Sequence, residues 1–201
     1  MTDPDEIGRL LLAIDALESS SSVGDALALL PYVFTRQSEL RMMEWSEVDL
    51  DGALWTIPAE KTKMRRDHLV PPARQVVEHI RRQPREADAR YVFPSLRTRH
   101  RPLSEIMLNV ALIRAGYSPK QIVPHGFRAM ARTLLDERLR VDPILIEVQL
   151  AHQVPGVLGD TYNRARYLEQ RVEMMQRWAD YLDELKSASN SLSGSGSGSS
   201  G

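Results

Sequence analysis

The chain has 201 residues, of which 42% are hydrophobic and 26% are charged, and its formal net charge is −1. These values predict one ordinary globular domain with a sizeable core, and they exclude a wholly disordered chain and a uniformly basic coat protein for nucleic acid. The absence of cysteine excludes disulfide scaffolds, thiolate zinc sites and cysteine nucleophiles. The apolar stretch Leu10–Leu17 is too short to span a membrane, and no signal peptide precedes it. We therefore expect a soluble, cytoplasmic protein with no membrane partner.

The balanced net charge hides a basic segment. Residues 60–101 contain twelve Lys or Arg and five Asp or Glu, whereas residues 1–30 contain one basic and six acidic residues. A local basic stripe suits a phosphate backbone, because each neutralised phosphate releases condensed counterions. The alternative is a solvated surface on which the arginines pair with nearby acids.

Hydrophobic periodicity predicts a mainly helical chain, because apolar residues recur every three or four positions in eight segments. The predicted helices cover 5–18, 25–34, 35–45, 72–83, 103–115, 127–139, 143–151 and 168–186.

One region departs from the helical period. Apolar residues flank the turn signal Asp51-Gly52, and His68–Val70 forms a further short strand that is stopped by Pro71-Pro72. The fold class is therefore α+β, predominantly helical, with one small antiparallel sheet near residues 46–71. From Ser187 onward the composition collapses to small residues, which predicts a flexible Ser/Gly-rich tail or linker over 187–201.

The chemistry-bearing residues do not form a nucleotide-binding P-loop, a His-Glu-x-x-His zinc motif or a Gly-x-Ser-x-Gly elbow. The five histidines also lack the spacing of metal ligands. What remains is a set of cations and histidines followed by a late tyrosine. Such a set can clamp a phosphodiester, balance the charge on its oxygens and attack it with a phenol. Its members are Arg36, Lys63, His125, Arg128, His152 and Tyr162.

In this order and spacing, the residues resemble the tyrosine recombinases, or phage integrases, and specifically their C-terminal catalytic domain. Arg36 with Glu39 and Leu40 matches the first arginine motif, and Pro124–Arg128 is similar to the His-x-x-Arg motif. Leu150-Ala151-His152 matches the Leu-Gly-His motif, with alanine in place of glycine.

Two further positions carry the resemblance. Counting back eight residues from Pro71 places the hairpin lysine of the family at Lys63, and Tyr162 falls where the nucleophile belongs. The segments Trp55–Pro71 and Tyr162–Leu182 also resemble prophage and genomic-island integrases.

The resemblance implies site-specific DNA recombination, the integration or excision of a prophage or genomic island, through a 3′-phosphotyrosyl intermediate. It implies that the two arginines bind the scissile phosphate, that Lys63 protonates the leaving 5′ oxygen and that Tyr162 attacks. It further implies that His125 assists proton transfer from the tyrosine, that His152 donates a hydrogen bond to the phosphate and that Glu39 orients Arg36. No metal or other cofactor is required, because the arginines supply the positive charge.

Several alternatives stay open at the level of sequence. Lys61 competes with Lys63 as the general acid, and Tyr167 competes with Tyr162 as the nucleophile. Other basic residues are candidates for DNA backbone contact or for plain solvation. They are Lys61, Arg65, Arg66, Arg81, Arg82, Arg97, Arg99 and Arg101.

The resemblance also implies partners. They are double-stranded DNA attachment sites and three further copies of the chain in a synaptic homotetramer, with the isolated domain monomeric. Met174, Trp178, Tyr181 and Leu185 form a heptad-like seam, which docks either on the domain's own core or on a neighbouring protomer.

Family members carry N-terminal DNA-binding domains, so residues 1–186 are expected to be the catalytic domain alone. Two other functions compete with recombination: a catalytically silent DNA-binding remnant of the same fold, and a nicking–closing enzyme that resembles type IB topoisomerases.

Overall fold

The computed structural model of the chain describes residues 1–17, 22–152 and 167–194. These residues form eight α-helices and five short strands. The helices are α1 Pro4–Asp15, α2 Ser22–Val33, α3 Gln37–Arg41, α4 Arg74–Arg81, α5 Met107–Arg114, α6 Gly126–Glu137, α7 Pro143–Gln149 and α8 Leu168–Gly194. The strands are β1 Val48–Asp49, β2 Leu54–Ile57, β3 His68–Val70, β4 Pro94–Ser95 and β5 Thr98–Pro102. None of the described helices is both long enough and apolar enough to cross a membrane.

The first helix begins at a well-formed cap. The Asp3 carboxylate accepts the backbone N–H of Glu6 at 3.0 Å, and Pro4 occupies the first helical position, where its missing N–H costs nothing. One face of α1 is buried and packs along α8, so the two ends of the described chain lie against each other. The helical core confirms the predicted fold class.

The seam on α8 packs on the domain's own core. Met174 and Trp178 are buried, and Tyr181 and Leu185 are partly buried against the same cluster. The indole N–H of Trp178 donates to the carbonyl of Pro31 at 2.9 Å, which satisfies a polar atom deep in the core.

The last helix runs to Gly194, eight residues beyond the end predicted at 186. Serine is a weak helix former, but here its hydroxyls bond to the preceding turn: Ser187 Oγ donates to the carbonyl of Asp183, and Ser191 Oγ donates to that of Ser187. Ser189 is buried against α1 at Gly8. Tertiary packing therefore extends a helix that local composition does not predict.

The predicted strand region forms a sheet in the order β1-β2-β3, antiparallel throughout, with Trp55 opposite Val70. The predicted turn is present. The Asp49 carboxylate accepts the backbone N–H groups of Asp51 and Gly52 at 3.1 and 2.8 Å, which closes the hairpin.

A second, two-stranded sheet of β4 and β5 corrects the prediction of a single sheet. Pro94 and Pro102 pair with each other at the open end of this ladder. Proline is tolerated there because the terminal position of a ladder does not need its missing N–H.

The third predicted helix, 35–45, is also shorter in the structure and ends at Arg41. The next residues are extended because they pair with a distant segment. Glu44 forms an antiparallel bridge with Tyr91, and the N–H of Val92 donates to the carbonyl of Met43 at 2.9 Å. These contacts are non-local, so helical periodicity could not reveal them.

Candidate active site

Five of the predicted site residues line one open pocket of about 480 Å³. The lining consists of Arg36, Lys63, Met64, His125, Arg128, Ala151 and His152. These residues come from the starts of α3 and α6, from the turn after α7 and from the loop before β3, so the fold brings together positions up to 116 residues apart. Among the described residues, no acidic side chain belongs to this lining, which makes the pocket suited to an anion.

Arg128 is buried, with 5% of its surface exposed, and it joins the ends of two helices. Its Nη1 donates to the carbonyl of Phe34 after α2 at 3.1 Å, and its Nη2 donates to the carbonyl of Leu150 after α7 at 2.7 Å. Carbonyls at helix C-termini lack intrahelical partners and carry a partial negative charge, so a guanidinium satisfies both needs.

The guanidinium groups of Arg36 and Arg128 place two positive charges near each other in this pocket. Burial and the positive charge of the neighbouring Arg36 lower the pKa of Arg128 to about 10. The side chain therefore stays charged at neutral pH, but its charge is only partly compensated. An anion in the pocket would relieve this strain.

The backbone on both sides of Arg128 adopts an unusual conformation. Phe34 and Ala151 have φ angles of +37° and +52°, in the left-handed region that costs a non-glycine residue about 1–2 kcal/mol. Both residues follow the end of a helix. Phe34 supplies one of the carbonyls that Arg128 binds, and Ala151 directly follows Leu150, which supplies the other. The strain therefore accompanies the geometry that holds the guanidinium.

At the end of α7 the hydrogen bonds form a complete Schellman motif. The N–H of His152 donates to the carbonyl of Glu147, and the N–H of Ala151 donates to that of Val148, both at 3.0 Å. Glycine is the preferred residue at the left-handed position of this motif. The geometry thus explains why glycine suits the middle of the Leu-Gly-His pattern and why Ala151 is strained there.

Arg36 begins α3 and is held by Glu39, which is 1% exposed. The carboxylate of Glu39 accepts the guanidinium at 2.8 Å and the backbone N–H of Arg36 at 2.9 Å. A buried acid that binds both the side chain and the backbone of one residue fixes its direction, so the contact predicted from the sequence is present.

The two candidate lysines have different surroundings. Lys61 is 14% exposed and forms ion pairs with Glu44, at 2.8 Å, and with Glu47, and it also donates to the carbonyl of Met42. Lys63, in contrast, is exposed and faces the pocket. This placement favours Lys63 as the residue that reaches a bound phosphate.

The two histidines lie at opposite sides of Arg128 in sequence. His125 is exposed at the start of α6, three residues before Arg128. His152 places its Nε2 at 3.4 Å from Nη2 of Arg128 and its Nδ1 at 2.6 Å from the carboxylate of Glu147.

Glu147 is a shared acceptor behind the pocket. Its second carboxylate oxygen accepts Nε of Arg132 at 2.6 Å. Partial burial works to raise the pKa of Glu147, but the hydrogen bonds from His152 and Arg132 outweigh burial and hold the pKa below its usual value.

Buried polar residues from β3, α7 and α8 support the site. His68 in β3 bonds through Nε2 to the carbonyl of Gln149 at 3.0 Å, and burial, together with the charge of Arg171, lowers its pKa to about 3. Arg171 in α8 donates to the carbonyl of Leu69 at 2.8 Å and to the side chain of Gln149 at 3.0 Å, and burial lowers its pKa to about 10. These contacts tie the strand after Lys63 to the helix before His152.

The predicted nucleophile, Tyr162, lies outside the described residues, whereas its competitor Tyr167 directly precedes α8. The predicted arginine contacts to DNA are all exposed: Arg65, Arg66, Arg81, Arg82, Arg97, Arg99 and Arg101. Two of them also form ion pairs, Arg81 with Asp51 at 2.9 Å and Arg99 with Glu86.

Three supporting residues are absent from the sequence-based prediction: Glu147, His68 and Arg171. A Schellman motif brings Glu147 and His152, five residues apart, together, but an alanine at its left-handed position gives no signal of the motif in the sequence. An arginine within an amphipathic helix gives no local signal of burial, so Arg171 could not have been found.

Comparisons with known proteins identify a family and relatives for this chain. Residues 1–169 match the model of the phage integrase family. The chain is 42% identical over 174 residues to prophage integrase IntZ and 34% identical over 189 residues to prophage integrase IntA, both of Escherichia coli (strain K12). These alignments cover 85% and 92% of the chain but 42% and 45% of the two relatives, so the chain spans less than half of their length. The solved integrase from mycobacterium phage Brujita has the same fold, with a TM-score of 0.66 at 20% identity over 89% of this chain and 61% of that one.

Proposed function

Because the chain belongs to the phage integrase family, we propose that it is the catalytic domain of a tyrosine recombinase that breaks and rejoins DNA at specific sites. The reaction is the integration or excision of a prophage or genomic island, through a 3′-phosphotyrosyl intermediate. The observation that carries this proposal is the pocket itself, in which two arginines, a lysine and two histidines surround space for one phosphate.

The arginines stabilise the transition state. Arg36 and Arg128 present planar guanidinium forks to the two non-bridging oxygens of the scissile phosphate, whose negative charge grows as the fifth oxygen approaches. Removing one such donor typically costs about 2.7–4 kcal/mol of activation free energy. The phosphate also offsets the burial and the repulsion from Arg36, which together lower the pKa of Arg128.

The remaining residues move protons and form the covalent bond. Tyr162 attacks phosphorus through its phenolic oxygen, His125 assists the departure of the phenolic proton, and Lys63 protonates the leaving 5′ oxygen. His152 donates a hydrogen bond to the phosphate. Because the phosphotyrosyl bond replaces the phosphodiester bond, a later attack by a 5′ hydroxyl can rejoin the strand without an external energy source.

The partners are double-stranded DNA attachment sites in the cytoplasm and, in the synaptic complex, three further copies of the chain. The isolated domain is monomeric. The exposed cations Arg65, Arg66, Arg97, Arg99 and Arg101 are the candidate contacts to the DNA backbone, because an exposed guanidinium can reach a phosphate.

The test is covalent trapping on a nicked duplex that carries the attachment site, selected from a random-sequence pool by capture of the adduct. We expect the parent and Tyr167→Phe to form a protein–DNA adduct and Tyr162→Phe to form none. An adduct lost only in Tyr167→Phe would keep the reaction class and move the nucleophile.

Two other outcomes distinguish the competing functions. If duplex binding is measurable but no variant or longer form of the protein yields an adduct, the chain is a DNA-binding remnant. If the protein relaxes random supercoiled plasmid DNA, it acts as a nicking–closing enzyme, whereas a site-specific recombinase should leave that plasmid supercoiled.

A further inference from the structure

Glu147 contacts His152 in two independent ways. Its backbone carbonyl accepts the N–H of His152 at 3.0 Å, and its carboxylate lies 2.6 Å from Nδ1 of the imidazole. The first contact belongs to the Schellman motif that ends α7, so the backbone sets the distance at which the two side chains meet.

The contact determines which ring nitrogen faces the pocket. An ionised carboxylate only accepts hydrogen bonds, so the proton of the neutral imidazole lies on Nδ1 and points to Glu147. Nε2 then lies on the other side of the ring, 3.4 Å from Nη2 of Arg128, and both residues line the pocket.

The contact between Glu147 and Arg132 is more than an isolated surface ion pair. Arg132, which is 62% exposed, binds one oxygen of Glu147, and such a pair alone contributes little. However, the other oxygen binds His152, so Arg132, Glu147, His152 and Arg128 form one continuous row from the surface into the pocket. Arg132 thereby fixes the carboxylate that fixes the ring.

His152 lies among several cations. Arg36, Lys63 and Arg128 line the same pocket. For Nε2 to donate to a phosphate while Nδ1 donates to Glu147, the imidazole must carry a proton on both nitrogens. Glu147 is the acid that touches the ring in the described part of the chain.

We propose that Glu147 is a positioning residue for His152: its carboxylate binds Nδ1 and thereby holds the imidazole with Nε2 toward the scissile phosphate. The inference rests on the proposed function, because Glu147 acts only through His152 and takes no part of its own in breaking the bond.

The experiment compares three variants with the parent. Glu147→Ala removes both the acceptor and the charge, Glu147→Gln keeps an acceptor without the charge, and Glu137→Gln is the control. Glu137 is an exposed acid on α6 that is not part of the pocket lining, so its substitution removes the same charge without touching His152.

The first readout is the tautomer of His152, measured on the free protein by long-range proton–nitrogen NMR. We expect the Nδ1–H form in the parent, in Glu147→Gln and in the control, and a shift to the Nε2–H form in Glu147→Ala. The second readout is the rate of adduct formation on the nicked duplex. It should fall by about 10–100-fold in Glu147→Ala, as for carboxylates that orient histidines at metal sites, and by less in Glu147→Gln.

The outcomes are separable. An Nε2–H tautomer in the parent, or an unchanged tautomer and rate in Glu147→Ala, would overturn the positioning role. A parent that forms no adduct would instead contradict the proposed function, while the NMR readout would still decide whether Glu147 holds the ring. DNA affinity should stay within about twofold in all variants, since the carboxylate faces away from the pocket.

Discussion

Lys61 and Lys63 are separated by one residue, yet their side chains have different partners. Lys61 neutralises two carboxylates that are themselves 14% and 8% exposed, and it anchors the loop before β3. Lys63 lies on that loop and faces the pocket. The first lysine therefore stabilises the fold, whereas the second is placed for the role that we propose for it in the reaction.

Substitution of each lysine by methionine should separate these roles. Lys61→Met removes the ion-pair partner of the partly buried Glu47 and leaves Glu44 with Arg90, so we expect a loss of about 3 kcal/mol in the free energy of unfolding. Lys63→Met should change that free energy by less than about 0.5 kcal/mol, because the side chain is exposed, and should slow adduct formation by about 10²-fold or more. Urea unfolding and the trapping rate measure the two effects. The assignment is wrong if Lys63→Met is the unstable variant.

Ala151 offers a gain in stability. Glycine avoids a left-handed penalty of about 1–2 kcal/mol but adds about 0.4–1 kcal/mol of chain entropy to the unfolded state. We therefore expect Ala151→Gly to raise the free energy of unfolding by roughly 0.5–1 kcal/mol, measured by urea denaturation. The matched variant Ala129→Gly, at an exposed helical position of α6, should lower it by a similar amount.

Most of the pocket residues were predictable from the sequence, because Arg36, His125, Arg128 and His152 keep a recognisable order along the chain. Glu147 was not, because an acid near the end of a helix usually faces solvent. Its function depends on the turn at Ala151, and a left-handed alanine has no signature in the sequence.

Among the elements, β3 and α7 meet at a buried histidine. His68 bonds to the carbonyl of Gln149, and its pKa of about 3 lies far below the ordinary value of 6.5. The folded protein therefore binds fewer protons at this site than the unfolded chain does. His68 contributes full stability above about pH 6.5, and this contribution is lost as the pH falls from there toward 3.

The expected result is a steeper acid dependence in the parent than in His68→Gln, which keeps an N–H donor for the carbonyl but does not titrate. The slope of the unfolding free energy between pH 6 and 4 should differ by up to about 1.4 kcal/mol per pH unit. Urea titrations at several pH values measure this difference, and equal slopes would show that His68 becomes protonated without unfolding.

Periodicity predicted the elements whose conformation, helix or strand, follows from local residues and does not depend on pairing with distant segments. The amphipathic helices and the hairpin at Asp51-Gly52 follow from local residues. The shortened α3 and the β4–β5 sheet depend on pairing between distant segments, such as Glu44 with Tyr91. Such pairing has no local period, so it was absent from the prediction.

In the molecule as a whole, α1 and α8 close the fold by a tight contact. A Cβ on Gly8 would overlap the hydroxyl of Ser189 and the backbone carbonyl of Leu185. The ion pair between Lys186 and Asp15, at 2.8 Å, lies along the same contact. The two helices can approach this closely only because position 8 has no side chain.

Gly8→Ala should therefore destabilise the domain although alanine is the better helix former. Overpacking against backbone costs about 1–3 kcal/mol, and helix propensity returns about 1 kcal/mol at most, so we expect a net loss of about 1–2 kcal/mol. Arg9→Ala, at an exposed neighbouring position, is the control and should leave the unfolding free energy nearly unchanged. An increase in stability for Gly8→Ala would mean that the helices can separate without loss.

The pairing of α1 with α8 also has a consequence during synthesis on the ribosome. Roughly 150 residues separate the two helices, and at about 5–20 residues per second the apolar face of α1 waits about 8–30 s for its partner. All the pocket-lining residues, from Arg36 to His152, are translated in that interval, but Arg171 and Trp178 arrive only with α8. A nascent chain therefore carries the pocket-lining residues before it can hold them together, and the pocket matures only once α8 has left the ribosome.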